Sequence, residues 1–430
     1  MAGARLGAIT STTVTPRLAA LLSLLSAVVT FATPQTPPRV TAPDPIVILV
    51  SIDGFRADYF DRFKPPALTR LAERGVRSKG LIPQFPSKTF PNHYTLVTGL
   101  RLANHGIVSN NMVAPDIPGR FSMANREVTT DPRWWGGEPI WNTVERQGKV
   151  AAAMFWPGSE APINGHRPSY WMPFDDAMPR AERVSRLLDW LRLPEGRRPS
   201  FLTLYFSDVD TAGHRFGPES AEVREAVLDV DRSIGELVSG IDALLLSDRV
   251  QYVVVSDHGM AQLRRERMIV LDDYLDPATV DVLDWSPVLA LSPRDGNVDR
   301  VYTALKGRHK ALDVYRNAEI PAKYGRLAGH PRVPAILGIA KDGWAVTSRR
   351  ELARLDEPGR TTNGAHGYDP ENKSMRGLFI ASGPRLRSGK VVRRFENIHV
   401  YELMCALVGV EPAQNDGDPA VTRQLLLPKR

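Results

Sequence analysis

The chain has 430 residues, 43% hydrophobic and 24% charged, which excludes a disordered, collagen-like or coiled-coil protein. That length suffices for one large decorated α/β core or for two to three ordinary domains. A single cysteine, Cys405, excludes a disulfide framework and a cysteine-based zinc knuckle, so any metal must be held by His, Asp or Glu. The formal charge of +7 admits an anionic partner without requiring one.

In chain order, Arg5 and Arg17 precede an apolar run at 18–29 that ends in Thr30-Phe31-Ala32. A basic start, a short apolar core and small residues at the boundary predict an export signal over 1–32, cleaved near Ala32. The run is shorter than the roughly 20 apolar residues of a membrane span. Removing 1–32 takes away two arginines and no acid, leaving a charge of +5. The Pro-rich piece 33–45 reads as an extended linker. No later run is long and apolar enough to cross a membrane, so a secreted or periplasmic protein is expected.

Ile46–Ile52, 150–155, Phe201–Phe206 and Val250–Val255 are short, nearly continuous apolar runs, the pattern of parallel strands buried on both faces. Helical patterns at 181–193 and 220–246 lie between them, and a further apolar run at 377–381 completes the core. Alternating β and α elements predict a mostly parallel central sheet with helices on both faces. Residues 271–360 interrupt this rhythm and read as a small inserted α/β lobe. The stretch 399–410 reads as a closing amphipathic helix with Cys405 on its buried face.

Acids follow these strands. Asp53 ends the first, Asp208 and Asp210 follow the third, and Asp257-His258 follow the fourth. An Asp after a strand is often a turn or N-cap residue, but three strands ending this way place the acids along the edge where open α/β sheets bind ligands. Asp210 and His214 are four positions apart, so a turn or short helix presents both to one side. His366 lies in Gly364-Ala-His-Gly-Tyr368, where flanking glycines let the backbone come close to a site. Asp53, Asp210, Asp257, His214, His258 and His366 are enough N/O ligands for two metal sites. Such donors suit zinc, and paired ions about 4 Å apart serve phosphoryl transfer.

A hydroxyl nucleophile is expected beside them. Thr89 lies in Phe85-Pro-Ser-Lys-Thr-Phe-Pro-Asn-His-Tyr94, where it also fits as the N-cap of a helix starting near Phe90. A helix N-terminus favours a phosphate beside that hydroxyl.

At this point the blocks resemble a family. Val47-Ile-Leu-Val-Ser-Ile-Asp-Gly-Phe-Arg56, the Thr89 block, Thr98-Gly-Leu100, His105-Gly-Ile-Val-Ser-Asn-Asn-Met112, Phe155-Trp-Pro-Gly-Ser159, Asp210-Thr-Ala-Gly-His214, Ser256-Asp-His-Gly-Met260 and the His366 block are similar, in order, to the nucleotide pyrophosphatase/phosphodiesterases of the alkaline phosphatase superfamily. The resemblance implies an alkaline-phosphatase-like fold, one catalytic domain over 46–430 and two Zn²⁺ per chain. It implies that Asp210, His214 and His366 hold one zinc. Asp53, Asp257 and His258 would hold the other, with Thr89 as its hydroxyl ligand and as the nucleophile. Asn110 would donate to a phosphate oxygen with the Phe90 N–H as companion, Asn111 being the adjacent candidate. Phe90 and Phe174 would stack the base. Asp208, His93 and His105 read as structural or as supports behind the ligands.

The expected reaction is hydrolysis of nucleotide phosphodiester and pyrophosphate bonds, releasing nucleoside 5'-monophosphates through a covalent threonine intermediate. A neutral asparagine compensates less charge than an arginine would, which suits a diester over a monoester. Stacking tolerates every base, so little base selectivity is expected. The rival readings are a choline-phospholipid phosphodiesterase, a phosphomonoesterase or sulfatase of the same superfamily, and an exported ligand-binding protein without catalysis. The substrate is a small-molecule nucleotide or phosphodiester. The sequence contains no internal repeat and no nucleic-acid-binding domain.

Overall fold

The computed structural model describes residues 44–355 and 362–428. The expected signal at 1–32 and most of the linker, through residue 43, lie outside the described residues.

The core is an eight-stranded sheet. In chain order its strands begin with β1 (Ile46–Ile52), β2 (Val76–Ser78), β3 (Ala151–Met154), β4 (Tyr170–Met172), β5 (Phe201–Phe206) and β6 (Val250–Val255). Four strands of a second sheet follow: β7 (Val280–Asp284), β8 (Val288–Pro293), β9 (Leu312–Arg316) and β10 (Ile336–Ala340). The chain then returns to the core with β11 (Phe379–Ser382) and β12 (Lys390–Val392). The core order is β12-β2-β11-β6-β1-β5-β3-β4. β1 lies between β5 and β6, parallel to both, and β11 alone runs against its two neighbours β6 and β2.

The central position of β1 follows from its composition. All seven of its residues are buried, as a near-continuous apolar run requires. Ile46, Ile48, Val50 and Ile52 pack on one face, against α1 (Pro66–Arg74), α3 (Arg180–Leu191) and α5 (Ala221–Ala243). Val47 and Leu49 face the other way, against α2 (Thr89–Thr98) and the closing helix α6 (Val400–Val408), which buries Cys405. A one-residue slip would exchange the two sets.

Three strands of the core sheet were not foreseen: β2, β4 and β12 are three residues each and sit toward the sheet edges. The run at 377–381 forms β11 two residues later, and its direction was not legible because apolar runs carry no sign of polarity. Within 271–360, β7 to β10 make a wholly antiparallel sheet in the order β7-β8-β10-β9.

Candidate active site

The acids stand where the strands deliver them. Asp53 follows β1, and its N–H donates to the Phe206 carbonyl at the end of β5 (2.9 Å). Asp257-His258 follow β6, while Asp210 and His214 share α4 (Asp208–Phe216), one turn apart. Gly54 lets these segments meet. It has φ +66°, and a Cβ there would lie 2.8 Å from the Asp210 Cα. Gly364 is pressed as closely, with a Cβ falling 2.2 Å from the Gly213 carbonyl oxygen of α4. Gly364–Ala365 pairs with Ala261–Gln262, which carries His366 to the loop holding His258.

The side chains converge. His214 Nε2 lies 3.5 Å from Asp210 Oδ2, and His366 Nε2 lies 3.7 Å from Asp210 Oδ1. His258 Nε2 lies 3.0 Å from Asp257 Oδ2 and 3.4 Å from Asp53 Oδ1. The three imidazoles are oriented alike. Their Nδ1 atoms donate to the carbonyls of Gly364, Gly259 and Ser87, each at 2.9 Å. A carbonyl only accepts, so Nδ1 carries the proton and the Nε2 lone pair points inward, the arrangement that ligating histidines adopt.

Burial and mutual charge move these groups in opposite directions. Burial, then the Asp257 and Asp210 charges, push the Asp53 carboxyl well above its ordinary value. Burial acts to raise Asp257 too, but the His258 and His93 imidazoles outweigh it and hold that carboxyl well below the usual range. Burial, then the His258 and His214 charges, depress His366, whose ring stacks on His258 at 3.5 Å and 12°. Among the described residues, Asp53 Oδ1, Asp210 Oδ1 and Asp257 Oδ2 are buried without a hydrogen-bond donor. Inward carboxylate oxygens lacking donors, beside inward imidazole lone pairs, fit divalent cations with N/O coordination.

Distance alone does not divide the ligands. Asp210, His258 and His366 form one tight group, and Asp53, His93 and Asp257 another. The second group owes its third member to His93, whose nitrogens are both engaged. Nδ1 donates to the Thr89 carbonyl (2.9 Å) and Nε2 accepts from the Ser51 hydroxyl (2.8 Å). We therefore take His93 as a brace for Thr89. His105 is a buried brace elsewhere, bonded to Thr95 and depressed to about 3 by burial. Asp208 pairs with Arg180.

Thr89 opens α2 as its first helical residue, not as its N-cap; Lys88 holds that position. The hydroxyl is therefore not spent on capping, and its Oγ1 lies 3.3 Å from His258 Nε2. The Phe90 N–H is not free as expected: it donates to Asn110 Oδ1 (3.0 Å), which turns the Asn110 amide so that Nδ2 is the remaining donor. Asn111 begins a strand pairing with Ser122 and lines a neighbouring cavity of about 520 Å³ with Asn110, His214 and His366. Phe90 and Phe174 line a cavity of about 350 Å³ beside Thr89, together with Phe155 and Tyr205. Phe174 is 50% exposed, a free aromatic wall rather than a core residue.

Sequence reasoning missed several neighbours. Tyr205 donates its hydroxyl to Asp53 Oδ2 (2.6 Å). Lys88 pairs with Asp284 of β7, to which Ser109 also donates. Glu160 accepts from the Phe174 N–H and from Arg126 (2.8 Å each). Tyr205 is hidden in an apolar run, and the other pairings join residues far apart in sequence.

A mostly parallel sheet flanked by helices, with Asp and His gathered at its strand ends around a helix-borne threonine, is the alkaline-phosphatase-like architecture. Residues 47–369 match the type I phosphodiesterase / nucleotide pyrophosphatase family, and the chain belongs to that family. Bis(5'-adenosyl)-triphosphatase ENPP4 of Bos taurus is 35% identical over 390 residues, covering 90% of this chain and 83% of that protein. A venom phosphodiesterase of Macrovipera lebetinus is 35% identical over 391 residues, 88% of this chain. The chain spans 45% of that enzyme's length, about half, as with the similar venom relatives. Murine ectonucleotide pyrophosphatase/phosphodiesterase 5, in an inactive threonine-to-alanine form with AMP, superposes with a TM-score of 0.83 at 33% identity, covering 89% of this chain and 100% of that one. Among the described residues no helix is long and apolar enough to cross a membrane.

Proposed function

We propose that this chain hydrolyses nucleotide phosphodiester and pyrophosphate bonds to release nucleoside 5'-monophosphates, with Thr89 as nucleophile and two zinc ions as cofactors. One observation carries the reading: three inward Nε2 atoms and three donorless carboxylate oxygens surround a threonine hydroxyl that its helix leaves free. Asp210, His214 and His366 would hold one ion, and Asp53, Asp257 and His258 the other. When bound, such ions lower the pKa of a neighbouring hydroxyl and stabilise charge on a leaving oxygen.

The protein groups do the rest. Phe90 and Phe174 hold the base between them. Asn110 Nδ2 receives the phosphate at the start of α2, where the Phe90 N–H is already held by Asn110 Oδ1. Thr89 Oγ attacks phosphorus in line, the Oγ–P bond forms as the bond to the leaving oxygen breaks, and the hydroxyl proton passes to solvent. Water then attacks the nucleotidyl-threonine from the opposite side, the Oγ–P bond breaks, and Thr89 regains its proton. The family relation, and the murine relative's inactive threonine-to-alanine form holding AMP, support this course.

A diester suits the site better than a monoester. The phosphate donor is a neutral amide, and the adjacent Lys88 has its charge matched by Asp284. The comparison that tests this sets a nitrophenyl ester of thymidine monophosphate against nitrophenyl phosphate and a choline-containing lysolipid. Preference for the nucleotide ester supports the reading, and preference for either of the others overturns it. We take 46–430 as one catalytic domain carrying the 271–360 lobe, exported by the 1–32 signal.

A further inference from the structure

We propose that Tyr205 is a positioning residue that couples the nucleoside pocket to the metal centre by fixing which oxygen of Asp53 faces the cations. The inference rests on the two-cation reading above and concerns a residue which that reading does not use.

Tyr205 is the penultimate residue of β5, and three groups hold it. Its carbonyl accepts from the Arg183 guanidinium (3.0 Å), a side chain only 3% exposed. Its ring meets Phe174 edge-on at 6.0 Å and His93 at 5.3 Å. The ring therefore lines the cavity next to Thr89 and touches the histidine that braces the Thr89 carbonyl. Among the described residues the phenol hydroxyl has one partner, Asp53 Oδ2, at 2.6 Å. The other oxygen of that carboxylate, Oδ1, is buried without a donor and lies 3.4 Å from His258 Nε2.

These observations assign the two oxygens different tasks. A carboxylate has two equivalent oxygens and rotates unless something distinguishes them. The short phenol hydrogen bond occupies Oδ2 and leaves Oδ1 as the oxygen offered inward. The phenol is neutral, so it orients the carboxylate without cancelling the charge that a cation needs. Partners of this kind behind metal ligands typically account for about 10–100-fold in metal affinity. Because the same ring forms a wall of the pocket, a ligand that shifts the ring also bears on Asp53.

Tyr205→Phe separates the two roles, since it keeps the ring and deletes the hydroxyl. Zinc binding is measured by competition with a chromophoric chelator on purified wild type and variant. Alongside it, kcat and KM for the nitrophenyl ester of thymidine monophosphate are taken at limiting and at saturating zinc. The proposal expects one of two zinc ions to bind about 10–100-fold more weakly in the variant while the other is unaffected. It also expects KM to be unchanged and the lost kcat to return at saturating zinc. Tyr205→Leu should show the same single-site loss together with a raised KM. Melting of the metal-free proteins controls for folding: the proposal expects similar midpoints but a smaller zinc-induced rise in the Tyr205→Phe protein. Equal zinc affinity in wild type and Tyr205→Phe overturns the assignment and leaves the two-cation reading intact, as does equal weakening of both ions. Wild type that takes up no zinc overturns both.

Discussion

Thr89 and Asn110 show how few atoms carry the proposed chemistry. The role proposed for Thr89 rests on its being the first residue of α2, where its hydroxyl faces His258 instead of capping a helix. Asn110 owes its orientation to the Phe90 N–H. Replacing Asn110 with alanine removes a donor aimed at developing charge, so kcat for a nucleotide ester should fall by about 10²–10³ with little change in melting temperature. Retention of full kcat would show that the amide does not meet the phosphate. The acids and histidines were legible in the sequence because each follows an apolar strand or sits between glycines. Tyr205 and Lys88 were not: one lies within an unbroken apolar strand, and the other meets a carboxylate 196 positions away. Contacts that depend on which strands become neighbours leave no local mark.

At the scale of elements, the site is built where segments are tied together. Glu160 joins the Phe174 backbone to Arg126, and its side chain is only 15% exposed although Phe174 is half exposed. Glu160→Ala releases both, so KM for the nucleotide ester should rise about 3–10-fold with kcat nearly constant. A change in kcat alone would deny Glu160 this role. Helix α2 is anchored by Asn92, which accepts from the Gln84 N–H, and by Gln84, which with Arg101 donates to Glu396. Burial acts to raise the Glu396 carboxyl, but the Gln84 and Arg101 donors outweigh it and hold it below its ordinary value. A depressed folded-state pKa contributes stability above the unfolded value of about 4.3 and loses it as pH falls through the folded one. Arg101→Gln should therefore flatten the rise in melting temperature on the acid side while changing it less near neutrality. An unchanged slope would mean that the ion pair is not coupled to folding. The parallel strands and long helices were legible from period and composition, whereas β2, β4 and β12 are too short to stand out and are recruited by the sheet itself.

At the scale of the molecule, the core sheet brings the site's parts together and the second sheet trims its charge. Asp284 of β7 pairs with Lys88, the residue before the proposed nucleophile. Asp284→Asn should free that charge and raise activity on nitrophenyl phosphate relative to the nucleotide ester by roughly 5–10-fold, because the monoester carries one more negative charge for it to attract. An unaltered ratio would show that the second sheet has no part in substrate choice. The interruption at 271–360 was visible as a break in the strand–helix rhythm, but its contact with Lys88 required the folded chain. The central claim, a threonine nucleophile served by two cations, is tested most directly by one paired measurement. Wild type and Thr89→Ala are loaded with zinc, the metal is counted, and turnover of the nitrophenyl ester of thymidine monophosphate is compared. The account predicts about two zinc per chain in wild type, substantial metal retained in the variant, and activity lower by about 10³-fold or more in Thr89→Ala. Full activity in the alanine variant, or wild-type turnover without bound metal, would contradict it.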